Sequence, residues 1–434
     1  MSESRKFTVS DVKMDSGTII FTLSGSHEYG LDKSVANAIR RTLLTDIPTV
    51  AFEVDEGEKS DITMVKNDTV LHNEMLSHRI GLLPLYLNPD TFQRNYLFEC
   101  KVKHDTDAPF QFVTANEIEI YPLKSHMIQK LQQIRDSDDT NERESFMETL
   151  DACDPDNYDF RKPLSQSEKD KIFRPYIFRK QKHYCMLNEL KSTHTPGTYQ
   201  QLHFYGSPSV KTAKDNGRYQ AVSQACYSFL KDDNLFQQTL KEKIEINAIP
   251  QDKIDEFKTK MTLAESERYY YRDKDGEPYR YQFSVKSCHY WDSSDLVKRS
   301  LEILMNRCHE IKQGFLYLLQ EKESSISVSE DKEGLKYKYI LYNQGHTMGS
   351  LIQSHIARRC IRPGPDSLLN LCGYKMPHPL TPEIVLFVTL NPKHKAYKQE
   401  SSQVLQTLTS YLMDQMEEIR NQLKEISDVL KKEL

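Results

Sequence analysis

The chain has 434 residues, 58 Lys plus Arg against 63 Asp plus Glu, and a formal net charge of −5, which argues against a protein that grips nucleic acid over a broad basic surface. At roughly 100–200 residues per domain the length allows two to four domains with a real core. No run approaches the ~20 apolar residues of a membrane span, and the charged start Met1–Val12 lacks a signal-peptide core, so a soluble, unexported chain with a protein partner is expected.

Val9, Val12, Ile19, Phe21 and Leu23 flank the turn Asp15-Ser16-Gly17 and predict a β-hairpin. A loop from His27 to Lys33 then leads into a helix over Ser34–Thr45, stopped before Pro48, with a strand at Thr49–Val54. The character then changes: residues 55–265 are polar and irregular, with charge-rich stretches at Arg135–Glu148 and Gln166–Lys171. Within them Asn73–Ile80 reads as a short helix closed by a left-handed Gly81 and broken by Pro84. Strict alternation returns at Tyr279–Val285, so 55–265 is expected to be a domain inserted into a discontinuous one, 1–54 with 266–320.

A helix follows with apolar positions Val297, Leu301, Leu304, Cys308, Ile311, Phe315 and Leu318. Ser- and Glu-rich residues 321–334 read as a linker. Residues 335–434 supply a strand (Lys336–Tyr342), a helix from Gly345-His346-Thr347 to about Cys360, a buried strand (Ile384–Leu390) and a final helix. Its apolar positions are Leu405, Leu408, Leu412, Met416, Ile419, Leu423, Ile426 and Leu430. Both long helices step by three and four, the pattern of helices that pack lengthwise on another helix.

Two segments about 300 residues apart are alike. Ser34-Val35-Ala36 and Thr347-Met348-Gly349 each place a hydroxyl residue suited to an N-cap before a helix whose third residue is tiny, leaving room for close packing. The chain thus reads as two related half-units joined end to end, each closing on a helix that needs a partner. His346-Thr347 is a turn and cap, and Pro377-His378-Pro379 a rigid connection. None of the eight cysteines lies within four residues of another, so zinc knuckles are absent and free thiols in a reducing compartment are expected. His72-x-Glu74 with His78 lacks the spacing of a metal hydrolase, and no phosphate loop or nucleophile elbow is present.

Asn37-Ala38-Ile39-Arg40-Arg41-Thr42-Leu43-Leu44, with Asn67-Asp68-Thr69-Val70-Leu71-His72-Asn73-Glu74-Met75-Leu76-Ser77-His78-Arg79-Ile80-Gly81-Leu82-Leu83-Pro84-Leu85, resembles the α-like third subunit of RNA polymerase II and its archaeal counterpart. His346-Thr347-Met348-Gly349-Ser350-Leu351-Ile352 and Gly373-Tyr374-Lys375-Met376-Pro377-His378-Pro379-Leu380 resemble the smaller α-like subunit, the eleventh of RNA polymerase II, and the matching archaeal protein. The resemblance implies an α+β fold: two dimerisation half-units, each a sheet plus two helices, packed as an intramolecular pseudo-dimer with a mainly β insert in the first. It implies a fused, non-catalytic assembly scaffold of the kind encoded by nucleocytoplasmic large DNA viruses. Such a scaffold docks the second-largest (β-like) and largest (β′-like) subunits alongside small zinc-bearing ones, and meets DNA only through the complex.

By the same resemblance Asn37, Arg40, Arg41, Arg79 and Gly81 face the β-like subunit. Val297, Leu301, Leu304, Ile311, Phe315, Leu318, Leu351, Ile352, Leu408, Leu412, Ile419 and Leu423 join the halves, with no homodimer, no membrane, no metal and no cofactor. The chain departs from its relatives in lacking the cysteine cluster many carry in the insert, and in Ala221, where a proline is usual. Its place of action would be the host cytoplasm or a virion for a viral enzyme, the nucleus for a cellular one. The competing class is a coiled-coil adaptor or transcription factor outside the core polymerase, which would bind DNA alone with a steep salt dependence.

Overall fold

Phe7–Asp15 (β1) and Thr18–Gly25 (β2) form the expected hairpin, with Ser16 and Gly17 at φ 49° and 79°, the backbone a two-residue turn needs to match strand twist. In the computed structural model residues 6–54, 60–105, 108–123, 129, 162–192, 198–330, 336–361, 367–398 and 400–434 are described. The charge-rich stretch at 135–148 lies outside them.

After the hairpin come α1 (Lys33–Thr45), β3 (Pro48–Ala51), β4 (Ile62–Asn67), α2 (Asn73–Gly81), β5 (Tyr96–Lys103), β6 (Phe110–Thr114) and β7 (Ile118–Pro122). Next are α3 (Gln166–Phe173), β8 (Tyr176–Phe178), β9 (Gln181–His183), β10 (Met186–Lys191), β11 (Gln201–Gly206) and β12 (Ser209–Thr212). Then follow β13 (Val222–Phe229), α4 (Asp233–Ile246), α5 (Ile254–Glu265), β14 (Arg280–Ser287) and the long α6 (Ser293–Leu319). The chain closes with β15 (Ile326–Glu330), β16 (Lys336–Tyr342), α7 (His346–Ile356), β17 (Leu369–Lys375), β18 (Glu383–Leu390) and α8 (Ser401–Glu433).

These elements form two compact units. Met1–Asp46, Val222–Ser287 and Asp292–Leu434 make the first, and Ile47–Ala221 with Cys288–Trp291 the second. The second is the insert, so the structure draws its end at Ala221 rather than 265. Val222–Phe229 belongs to the first unit because it hydrogen-bonds along β14, Tyr227 opposite Phe283 and Phe229 opposite Tyr281. The insert is mainly β: a four-stranded sheet β4-β11-β5-β7 and the pairs β6–β10, β3–β12 and β8–β9. Its core gathers Phe52, Leu76, Ile80, Phe98, Ile118 and Phe204.

The first unit contains the same motif twice. Its first sheet is ordered β1-β2-β14-β13 and its second β15-β16-β18-β17, each antiparallel throughout. Each half therefore runs β-β-α-β-β-α, a fuller repeat than the β-α-β-α read from the sequence. The expected linker is the reason. Its residues Ile326–Glu330 are an edge strand in register with β16, Ile326 opposite Leu341 and Val328 opposite Tyr339. An edge strand with one face to solvent is polar enough to resemble a linker.

Local expectations failed in instructive ways. The cap of α1 is Asp32, whose carboxylate accepts from the Ser34 amide at 2.8 Å, and α7 starts at His346 after Gly345, so neither Ser34 nor Thr347 is the cap. Gly81 is no left-handed stop; it is the last helical residue of α2, and Leu82 follows at φ −93°. Its role is steric, because a Cβ there would lie 2.6 Å from Arg218 Nη1 and 3.2 Å from the Phe52 carbonyl. Arg218 fills that space to donate to the carbonyls of Phe52 (3.0 Å) and Val54 (2.6 Å).

Candidate functional site

The apolar stripes of α6 and α8 meet each other. Val297, Leu301, Leu304, Ile311 and Phe315 on α6, and Leu408, Leu412, Ile419 and Leu423 on α8, are at most 3 % exposed; Leu318, in the last turn of α6, and Leu405, in the first two turns of α8, are only half-buried. The helices run antiparallel, since Lys312 pairs with Glu417 (3.1 Å) while Glu302, a few turns back, pairs with Lys431 (3.5 Å). The first pair is half-buried and the second exposed, and solvent-screened pairs of this kind are worth ~0–1 kcal/mol each. The stripe carries the stability, at about 2–5 kcal/mol for each buried Leu or Ile truncated to Ala. Cys308 sits in it as a small hydrophobe, its thiol pushed up to about 12 by burial.

In the same unit α1 packs on α7, α1 also touching α6 and α7 also touching α8. Leu351 and Ile352 are 1 % exposed, as the sequence requires of an interface. A Cβ on Gly349 would sit 2.5 Å from the Tyr374 ring, so the tiny residue lets β17 lie on the first turn of α7.

Polar links between the halves came only with the structure. Asp32 caps α1 with one oxygen and accepts from Ser354 of the second half with the other. Arg358, with a side chain 11 % exposed, donates to Asp273, 2 % exposed, at 2.6 Å. The two lie 85 positions apart in sequence, which left no local signal. Gly30 at φ +73° brings its loop against this pair, where a Cβ would be 2.5 Å from the Asp273 carboxylate. Beside it Arg359 stacks 3.8 Å from the Tyr29 ring centre. A buried, paired guanidinium adds orientation more than net stability, because desolvation consumes most of the Coulombic gain.

The residues expected to face a partner divide. Asn37 and Arg40 are half-buried on α1, where the Arg40 guanidinium folds onto Asn37 Oδ1 at 2.9 and 3.1 Å. Arg41 instead reaches the second half, Nε donating to Thr347 Oγ1 at 2.9 Å, a link inside the chain rather than outside it. Gly81 is buried under Arg218. Arg79 is exposed and donates to the Met186 carbonyl at 2.9 Å.

Around Arg79 the structure shows what the sequence left unnoticed: Val70, Met75 and Leu82 are 72 %, 59 % and 70 % exposed. Met75, Arg79 and Leu82 recur at helical spacing on the outer side of α2, so their period alone was the signal. The preceding loop is fixed by Asn67, which donates to the Leu71 carbonyl and Asn73 Oδ1 (both 2.8 Å) and accepts from Thr69 (2.6 Å). Asn188 secures Thr69 in turn at 2.7 Å. The result is a fixed loop and helix that expose three apolar side chains beside an arginine, and Met and Arg are among the residue types enriched at interfaces. His72, Glu74 and His78 are exposed, and among the described residues no group of three His, Cys, Asp or Glu is placed to hold a metal ion.

Two family models with the same description, RNA polymerase Rpb3/Rpb11 dimerisation domain, match the chain over residues 27–308 and 336–422. One similar protein is the DNA-directed RNA polymerases I and III subunit rpac1 of Dictyostelium discoideum, 30 % identical over 110 residues, 23 % of this chain and 29 % of that one. Others are the RNA polymerase II subunit rpb3 of the same organism, 40 % identical over 75 residues (17 % of this chain, 20 % of that one), and the RNA polymerase subunit Rpo3 of Pyrococcus furiosus, 39 % over 80 (18 % and 26 %). The aligned stretches thus span less than a third of these relatives.

Proposed function

Because the chain belongs to the RNA polymerase Rpb3/Rpb11 dimerisation-domain family, matched over residues 27–308 and again over 336–422, we infer that it is a non-catalytic assembly scaffold of a multisubunit DNA-directed RNA polymerase, with both members of an α-like pair in one polypeptide. The observation that carries this reading is the repeated sheet order, β1-β2-β14-β13 and β15-β16-β18-β17, closed by α6 against α8. Joining the halves makes their pairing intramolecular, at an effective concentration on the order of millimolar for a short connection.

In this reading the α2 face built on Arg79 with Val70, Met75 and Leu82, and Asn37 with Arg40 on α1, dock the second-largest, β-like subunit. The largest, β′-like subunit and small zinc-bearing subunits join the assembly, and DNA is met only through the complex. Fusion of the two halves favours a polymerase encoded by a nucleocytoplasmic large DNA virus and acting in the host cytoplasm.

The test is affinity purification of the tagged full-length chain, washed at about 0.5 M salt, where exposed charges are screened within a few ångströms. Two very large polymerase subunits in near-equal amount, without a second α-like chain, are expected. Recovery of the chain alone or as a self-dimer overturns the reading and favours an adaptor outside the polymerase.

A further inference from the structure

The β8–β9 ribbon of the insert projects a composition at odds with the rest of the chain. All six of its strand residues are exposed, and Tyr176, Ile177 and Phe178 are 69 %, 66 % and 49 % accessible. Tyr176 and Phe178 point to one face and Ile177 to the other, since successive strand residues alternate. Register places His183 beside Tyr176, Lys182 beside Ile177 and Gln181 beside Phe178. Neither edge of the ribbon pairs with another strand among the described residues.

The two turn residues Arg179 and Lys180 are exposed and form no ion pair among the described residues, Arg179 lying 5.2 Å from the Phe178 ring centre, in a protein whose net charge is −5. The tip is Arg179-Lys180 at φ 48° and 66°, where glycine or asparagine is favoured. Two cations at such positions mark a place where local backbone preference yields to something else. The base of the ribbon is firmly held: Asp170 of α3 accepts from Lys182 and from Tyr184, both at 2.5 Å. Those hydrogen bonds hold the Asp170 carboxyl down to about 2. The ribbon is thus a presented element with a fixed base, a cationic tip and apolar groups on both faces.

We propose that this ribbon is a docking plug that inserts into an apolar groove rimmed by carboxylates on another subunit of the assembled polymerase; this rests on the scaffold reading above. A single-stranded nucleic acid would use Tyr176 and Phe178 for stacking and the cations for phosphates, but it leaves Ile177, on the opposite face, in water. A protein groove covers both faces, and its carboxylates answer the uncompensated charge of the tip, the complementarity that sets specificity and encounter rate at interfaces.

The test places the photoreactive residue p-benzoylphenylalanine at position 178 of the full chain within the purified polymerase, with a uridine 20-mer added as competitor. Irradiation is expected to give one crosslink, to an Asp- or Glu-bearing segment of a different subunit. Arg179→Glu with Lys180→Glu should reduce it at least about tenfold, and Ile177→Asp should reduce it comparably, while the free chain melts as before because these side chains are exposed. A crosslink to the uridine 20-mer, a crosslink only within this chain, no crosslink, or insensitivity to Ile177→Asp each overturns the plug. If the unmodified chain recovers no large subunits, the scaffold reading falls and the plug with it; if it recovers them without the crosslink, the plug falls alone.

Discussion

The first half-unit interrupts its β-β-α-β-β-α course twice, with Ile47–Ala221 between α1 and β13 and the α4–α5 hairpin between β13 and β14. In the second the equivalent connections run only from Ala357 to Leu368 and from Met376 to Pro382. Both sheets nevertheless keep the same strand order. Loop closure costs only about 0.6 kcal/mol for each doubling of length, whereas every strand and helix of the motif buries side chains that nothing else can cover. Insertions are therefore tolerated at the connections and excluded from the stripe of α6 and α8. Charge also distinguishes the halves: the acids Asp32 and Asp273 come from the first, the cations Arg358 and Arg359 from the second.

Removing that charge asymmetry should have the largest effect. Arg358→Ala leaves Asp273 buried without its cation and is expected to cost about 3–5 kcal/mol, read as a lower urea midpoint for the first unit. Lys312→Ala, which breaks the solvent-accessible, half-buried pair with Glu417, should cost no more than about 1 kcal/mol. Equal effects would mean that the buried pair carries no more than the half-exposed one.

A smaller effect isolates the packing of the second half. Gly349→Ala improves helix propensity but drives a methyl into the Tyr374 ring, and a net loss of about 1–3 kcal/mol is expected. Adding Tyr374→Ala should then remove most of the sensitivity to residue 349, measured as the coupling energy of a double-mutant cycle. The matching residue of the first half, Ala36, already has a Cβ and is fully buried.

The smallest expected effect is a pH dependence. His355, 7 % exposed, is pushed below its ordinary value by burial, and Glu418, 3.5 Å away, offsets this only in part. Its folded-state pKa lies below the unfolded value of about 6.5, so the unfolded chain binds the proton more readily and stability falls as pH drops through that value. His355→Gln should flatten the decline between about pH 7.5 and 5.5 in denaturant titrations. Some slope should remain, because His289 in the insert is shifted the same way by burial. An unchanged slope in the variant would exclude His355 as a source.

Much of the dimerisation core was legible because its signals are local and periodic. The stripes from Val297 and Leu405 mark faces that water must leave, and burial follows except at Leu318 and Leu405, which are half-exposed. The hairpin at Ser16-Gly17 was legible for the same reason, since a tight turn writes its φ requirement into two residues. Edge strands were not: β15 reads as a linker and β13 as part of the insert, because a strand with one solvent face and one free edge needs few apolar residues. At the face proposed to dock a partner the sequence pointed to Arg79, but Gly81 and Arg41 make contacts inside the chain and Val70, Met75 and Leu82 went unnoticed.

The sequence by itself determined the helices and central strands of the repeated motif and the fact of a repeat, since periodic burial and turn chemistry act over a few residues, whereas α3, α4 and α5 lay in stretches too polar to show a period. Only the tertiary structure decided that Asp273 meets Arg358, that Arg218 occupies the space Gly81 leaves, and that Ile326–Glu330 completes a sheet. Each of those depends on which distant group arrives at a buried donor, a missing Cβ or an open strand edge. No local pattern encodes that arrival.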